Sequence, residues 1–222
     1  MRVPIVVLVV AVLTCGAGAA PILFDFGDAD PPLPGWNIVF AEFVTGDTIT
    51  DAVDANGAPT SVDLALSGTR GLNAAGTTAS SVYPSFATSD NAFGSIGLHG
   101  GYATPNMSVV LSDLDVNLQY RFVFFASRAG VSDNREAQYT VTGADSDVVY
   151  LDAANNIDTT VTTAAITPSA SGEISVDITA GPNNSNSLQY YYLGVMEVNA
   201  VPEPVTLALL CLGGLAAVRR RR

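Results

Sequence analysis

The chain has 222 residues, which suits one domain plus addressing segments at roughly 100–200 residues per domain, and all nine of its basic residues are arginine, set against 21 acidic ones for a net charge of −12. So acidic a chain is repelled by phosphate backbones and lacks the clustered basic surface that nucleic acid requires, so nucleic acid is not an expected partner. With 48% hydrophobic residues it has material for a core and does not read as a disordered chain.

The ends and the middle are different materials. Five of the nine arginines (Arg2, Arg219, Arg220, Arg221 and Arg222) and both cysteines (Cys15 and Cys211) belong to the terminal segments. After Met1-Arg2 comes an almost unbroken apolar run over residues 3–14, too short for a span of ~20 residues. Ala17-Gly18-Ala19 follows, supplying the small residues at alternate positions that signal peptidase requires. Residues 1–19 therefore read as a cleaved secretory signal, with Ala17 and Ala19 at the cleavage site. Lipidation at Cys15 is the rival reading, and Thr14 stands where such a signal needs Gly or Ala.

Residues 20–200 hold four arginines (Arg70, Arg121, Arg128 and Arg135) and twenty acidic residues, a net −16, and no cysteine. A disulfide framework and a thiolate zinc site are thus excluded for this body. A core has to hold it together, and a chain of this size buries roughly 70% of its unfolded surface. The periodicity is that of strands. Residues 22–26 form a short apolar run closed by Gly27, and residues 36–44 alternate with Trp36, Ile38 and Phe40 on one side. Val62, Leu64 and Leu66 alternate with Asp63 and Ala65. Further strands are expected at 107–111, 119–126, 137–142, 148–151, 159–166, 173–178 and 190–198, with long loops between Gly68 and Gly101. No stretch holds a helical period, and no internal repeat points to a propeller or solenoid. The fold class is all-β, a single antiparallel β-sandwich, flanked by a signal helix and a short C-terminal transmembrane helix. The long loops are where such a sandwich places a binding surface.

The tail begins at Pro202-Glu203-Pro204, continues through fourteen uncharged residues at 205–218 and closes on Arg219 to Arg222. As a helix the uncharged segment covers roughly 21 Å, short of the ~30 Å hydrocarbon core, so it is a marginal anchor that upstream residues and snorkelling arginines complete. Terminal arginines place that end in the cytoplasm while the signal exports the body. Together these elements resemble the PEP-CTERM sorting signal. The resemblance covers 201–222 and implies export across the inner membrane, a transient membrane anchor, and processing near Pro-Glu-Pro by exosortase, a membrane-embedded cysteine transpeptidase, on the way to the cell surface or the extracellular space. An ordinary tail anchor is the plainer alternative.

Within the body, Leu23-Phe24-Asp25-Phe26-Gly27 with Trp36-Asn37, then Leu114-Asp115-Val116-Asn117-Leu118-Gln119-Tyr120 leading into Phe122-Val123-Phe124-Phe125, and Tyr139-Thr140-Val141-Thr142-Gly143 resemble a galactose-binding-like jelly-roll module. That resemblance implies the jelly-roll fold and carbohydrate binding.

Catalytic chemistry finds little support. His99 is the one histidine, it lies in a glycine-flanked stretch, and no Gly-x-Ser-x-Gly elbow occurs, so a serine triad has no base and elbow to work with. Twenty acids allow any pairing on paper and single out none for glycoside hydrolysis. No cofactor is expected beyond a structural calcium, for which Asp25, Asp28 and Asp30 are candidates, with Asp145 and Asp147 as a second cluster; turn-forming Asp is the alternative for both. Candidates for glycan contact are Tyr83 and Tyr102, with Trp36, Phe86 and Phe93 as further rings that stack if exposed, and Arg128 and Arg135, whose planar forks bind hydroxyls or carboxylates. The plainer expectation is that Trp36 is core and that the arginines pair with Asp. The sequence thus reads as an exported, non-enzymatic surface or matrix protein sorted by exosortase and associating with exopolysaccharide. A carbohydrate-binding module with one defined glycan, or a small secreted hydrolase, are the alternatives.

Overall fold

A computed structural model describes residues 19–28, 33–41 and 46–202. The expected signal and C-terminal helices, Asp30, Glu203, Pro204 and the four terminal arginines lie outside the described residues, and no helix among those described is long and apolar enough to cross a membrane.

In chain order the elements are β1 (Ile22–Asp25), β2 (Asn37–Ile38), β3 (Asp47–Ile49), β4 (Asp63–Ser67), β5 (Gly71–Asn73), α1 (Ser85–Thr88), β6 (Asn91–His99), β7 (Tyr102–Thr104), β8 (Met107–Ser112), β9 (Leu118–Phe125), β10 (Glu136–Thr142), β11 (Ser146–Asp152), β12 (Val161–Thr162), β13 (Ile174–Ala180), β14 (Tyr190–Leu193) and β15 (Val195–Pro202). The architecture is all-β, with one helical turn. One sheet runs β12-β9-β15-β1-β2, a second runs β11-β10-β13-β8-β4-β3, and a third runs β14-β6-β5 with β7 on β6. Pairing is antiparallel except between β1 and β2.

Alternation in the sequence fixes which side of each strand turns inward. Met107, Val109 and Leu111 of β8, Tyr139 and Val141 of β10, and Ile174, Val176 and Ile178 of β13 are all buried in one apolar cluster with Phe24 of β1 and Phe122 and Phe124 of β9. The first two sheets therefore share a core. Phe124 and Tyr139 stack across it at 4.4 Å and 10°, and each such ring contributes ~1.5–3 kcal/mol by leaving water. The Tyr139 hydroxyl donates to the Tyr192 carbonyl at 2.7 Å, which pins the third sheet to the second.

Four segments depart from the sequence expectation. Among the described residues of the expected 36–44 strand, Asn37–Ile38 form the paired strand, and the buried side is Asn37, Val39 and Ala41 rather than Trp36, Ile38 and Phe40. The Asn37 side chain is what turns that face inward, since its amide donates to Leu23 and Val53 carbonyls at 2.9 and 2.8 Å and accepts from the Val53 amide at 2.9 Å. The 159–166 strand shrinks to Val161–Thr162, with an isolated bridge from Ile166 to Tyr120. The expected 190–198 strand is two strands in different sheets, parted at Gly194, where a Cβ would come within 2.6 Å of Asn91 Oδ1.

The fourth departure matters most. Between Gly68 and Gly101 the chain forms β5, α1 and the nine-residue β6 instead of long loops. Two glycines inside β6 read as breakers, but they serve close approach: a Cβ on Gly94 would sit 2.1 Å from the Tyr191 ring, and one on Gly97 2.9 Å from Leu188. The true turn is Gly100-Gly101, both at positive φ (58° and 87°), a two-residue hairpin loop of the kind that needs such residues. It closes the pair His99↔Tyr102, so His99 ends a strand and is held in place.

Candidate functional site

The third sheet and the connection from β9 to β10 form a pocket of about 290 Å³ lined by Leu72, Asn73, Ala74, Phe93, His99, Arg128, Arg135, Tyr190 and Tyr192. Strand alternation builds its floor. Tyr190 and Tyr192 share one face of β14 while Tyr191 turns the other way, is fully buried, and donates its hydroxyl to the Thr104 carbonyl at 2.6 Å. Tyr192 pairs with Phe93 of β6, the two rings 6.4 Å apart. His99 meets Phe93 and Tyr190 edge-on at 5.9 and 5.5 Å, and its Nδ1 lies 2.5 Å from the Tyr190 hydroxyl. Asn184 donates to the carbonyls of both Glu136 and Tyr190, at 2.9 and 2.7 Å, fastening this strand beside β10.

The two arginines come from the single connection that runs from β9 of the first sheet to β10 of the second. Arg135, just ahead of β10, is buried; its Nη1 donates to the Tyr192 hydroxyl at 2.9 Å and its Nε to Asp133 Oδ1 at 2.9 Å. Its guanidinium carbon lies 5.2 Å from the centroid of the Tyr190 ring, within range of a cation–π contact. The hydrogen bond from Arg135 is the main reason the Asp133 carboxyl sits below its ordinary range, and Asn186 donates to the second Asp133 oxygen at 2.7 Å. Burial raises the Tyr192 phenol above its usual value, and the positive charges of Arg135 and Arg128 oppose that rise.

Arg128 follows β9 and is held by its backbone: its amide donates to Ala153 at 2.7 Å and its carbonyl accepts from Asn155 at 2.9 Å. Asn155, at positive φ (50°), also accepts from the Gly130 amide at 2.8 Å and so closes the loop. The Arg128 guanidinium donates through Nη1 to the Ala129 carbonyl at 2.6 Å; the ion pair among the described residues is Arg135 with Asp133. Asn73 brings a further donor, for its amide nitrogen is buried and makes no hydrogen bond among the described residues.

The arrangement offers aromatic faces, two planar cations and an amide, and no Asp, Glu, Ser or Cys in the lining. A glycosidase needs two carboxylates across the scissile bond, and this lining supplies none.

Of the residues picked out from the sequence, Arg128, Arg135 and Phe93 meet here, joined by His99. Tyr83 does not line the pocket: it is buried against Phe125 and Trp36 at 5.9 and 6.1 Å, with Phe86 5.3 Å from Trp36, and its hydroxyl donates to Glu197 at 3.1 Å. Tyr102, 60% exposed, sits on β7 just past the hairpin. Asp25 is buried and Asp28 exposed, the Asp28 amide donating to Asp90 Oδ2 at 3.0 Å. Asp145 accepts from the Thr167 amide at 2.9 Å and Asp147 from the Ala164 amide at 2.7 Å, which makes both of them turn ties. Among the described residues no three His, Cys, Asp or Glu side chains gather as a metal site. Sequence reasoning missed Tyr190, Tyr192 and Asn73 as lining residues; the i, i+2 spacing of the two tyrosines was the available signal, and Asn73 carried none.

At the far end of β15, Val201 and Pro202 pair with Gln119 and Leu118, and there the PEP-CTERM protein-sorting motif matches residues 200–222. The chain carries a PEP-CTERM sorting signal. The signal implies an exported protein whose C-terminal membrane anchor is processed by exosortase. A comparison with curated proteins finds no match. Among solved structures, the extracellular domain of ANXUR2 from Arabidopsis thaliana is similar at 11% identity and a TM-score of 0.47, over 82% of this chain and 42% of that one. The ANXUR1 extracellular domain from the same plant gives 12% and 0.43, over 84% and 49%. An exo-beta-1,3-galactanase from Phanerochaete chrysosporium, solved with galactose, gives 21% and 0.28, over 50% and 23%. The chain spans less than half the length of each.

Proposed function

We propose that this is a non-enzymatic protein of the cell surface or extracellular matrix that holds exopolysaccharide in the pocket between β6 and β14, on a β-sandwich body of jelly-roll type. The observation that carries this reading is the lining itself: three aromatic rings and His99 surround two arginines and a buried amide donor, with no carboxylate to act on a glycosidic bond. Aromatic walls with a few placed polar groups are what a small-molecule site requires, and 290 Å³ lies at the small end of such sites (~300–1,000 Å³), which suits one sugar unit of a longer chain. The sorting signal supports the surface location. A glycan array probed with the exported protein tests it, the expected result being binding to a restricted set of saccharides that Tyr190→Ala abolishes; binding to no glycan sinks the proposal. Mass spectrometry of the mature C-terminus checks the route, with loss of Arg222 expected.

A further inference from the structure

We infer that the sugar held in this pocket is anionic and carries a carboxylate, which Arg128 receives; the inference rests on the saccharide-binding reading above. The body around the pocket is strongly acidic, four arginines against twenty acids over 20–200, yet two of those four arginines line this one cavity and no acid does. A third, Arg70, donates to the carbonyl of His99 at 3.2 Å, at the pocket's rim. Asp133 answers one of the two lining charges, that of Arg135. Arg128 makes no ion pair with any described residue; its Nη1 donates to the Ala129 carbonyl, and its guanidinium also reaches the Tyr192 hydroxyl.

The charged group and the unsatisfied amide of the lining are donors. Arg128 keeps N–H groups beyond Nη1, and Asn73 Nδ2 is buried without an acceptor. A neutral sugar, whose hydroxyls both donate and accept, leaves the charge of Arg128 unanswered. A carboxylate only accepts, through two oxygens whose spacing suits a guanidinium fork. The backbone ties of Arg128 to Ala153 and Asn155 fix the root of that fork before the ligand arrives, which lowers the ordering cost of binding.

Isothermal titration calorimetry on the exported protein tests this with galacturonate and glucuronate oligomers, their carboxyl-reduced neutral counterparts, and galactose 6-sulfate. The acid oligomers are expected to bind about tenfold or more tighter than the neutral ones, the size of a charge-assisted hydrogen bond. Arg128→Gln is expected to erase that discrimination and Arg128→Lys, which keeps the charge and loses the fork, to retain part of it. Equal affinity for acid and neutral oligomers overturns the inference and leaves the pocket a saccharide site; binding of the sulfate alone overturns the carboxylate assignment. Discrimination that survives Arg128→Gln, or is unchanged in Arg128→Lys if the first variant does not fold, also overturns it. Failure of every saccharide to bind overturns the underlying reading instead.

Discussion

Two aromatic groups in this protein have similar ingredients and opposite fates. Trp36, Tyr83, Phe86 and Phe125 form one, and Phe93, His99, Tyr190 and Tyr192 the other. Each buries a tyrosine whose hydroxyl meets a charged side chain: Tyr83 donates to Glu197, whereas Tyr192 accepts from Arg135. In the first group the rings close on one another and the carboxylate is answered, by Tyr83 on one oxygen and by Asn199 at 3.0 Å on the other. In the second, a gap remains, and the guanidinium of Arg128 and the amide of Asn73 still have bonds to give. Ring content alone does not distinguish a core cluster from a binding site; unspent donors do.

The largest expected effect comes from opening the closed group. Phe125→Ala removes a fully buried ring and is expected to cost about 3–5 kcal/mol, read as a fall in the urea midpoint; a loss below ~1 kcal/mol, typical of a surface change, would mean the group is not core. Alkali should act on the same side of the comparison. Burial holds the Tyr83, Tyr139 and Tyr191 phenols above their ordinary value, so folding favours their neutral forms. That contribution is intact below the unfolded phenol pKa of ~10 and is lost as pH rises beyond it, because the unfolded chain gives up protons the folded one keeps. With no lysine in the sequence, the loss above about pH 10 reports chiefly on tyrosine, and Tyr83→Phe is expected to shrink it. A fall of equal size in wild type and Tyr83→Phe would show that this phenol is not the one responsible.

Smaller effects separate the two hydroxyls. Tyr83→Phe takes a donor from Glu197 and is expected to cost about 1–2 kcal/mol at pH 7 without touching ligand binding. Tyr192→Phe is expected to cost no more than that in stability and to change saccharide affinity, since it frees Arg135 Nη1; calorimetry and denaturation on the two variants should sort oppositely. The smallest effect belongs to Asp133. Its carboxyl is held below the ordinary range by Arg135, so its contribution is present above that range and fades as pH falls through its lowered value. Being partly exposed, it is expected to be worth less than about 1 kcal/mol, seen as a shallow acid slope that Asp133→Asn removes.

Much of the core could be read directly from alternation: Val62, Leu64 and Leu66, Val109 and Leu111, and Phe122 and Phe124 are buried as their spacing implies. The pocket was only half legible. Arg128 and Arg135 drew notice because arginine is scarce here, but nothing in the sequence says that the loop between β9 and β10 meets the far end of β6. The glycines of β6 concealed that strand, since a residue that yields space to Tyr191 or Leu188 looks the same in sequence as one that breaks a strand. Asn37 inverted a face that hydrophobicity alone assigns the other way. Tyr83, an aromatic in a Ser-rich stretch, looked exposed until Trp36 and Phe125 were seen to cover it.

One strand relates the two functional ends of the protein. β15 starts at Val195, opposite Phe125 and three residues from Tyr192, and stops at Pro202, opposite Leu118, so it carries the chain roughly 23 Å, seven steps of ~3.3 Å, away from the pocket before the rest of the sorting signal begins. Every residue of β15 has a partner on β9 up to that point. The two ends are thereby insulated: a cut beyond Pro202 takes no residue from the pairing of β15 with β9 and none from the lining of the pocket.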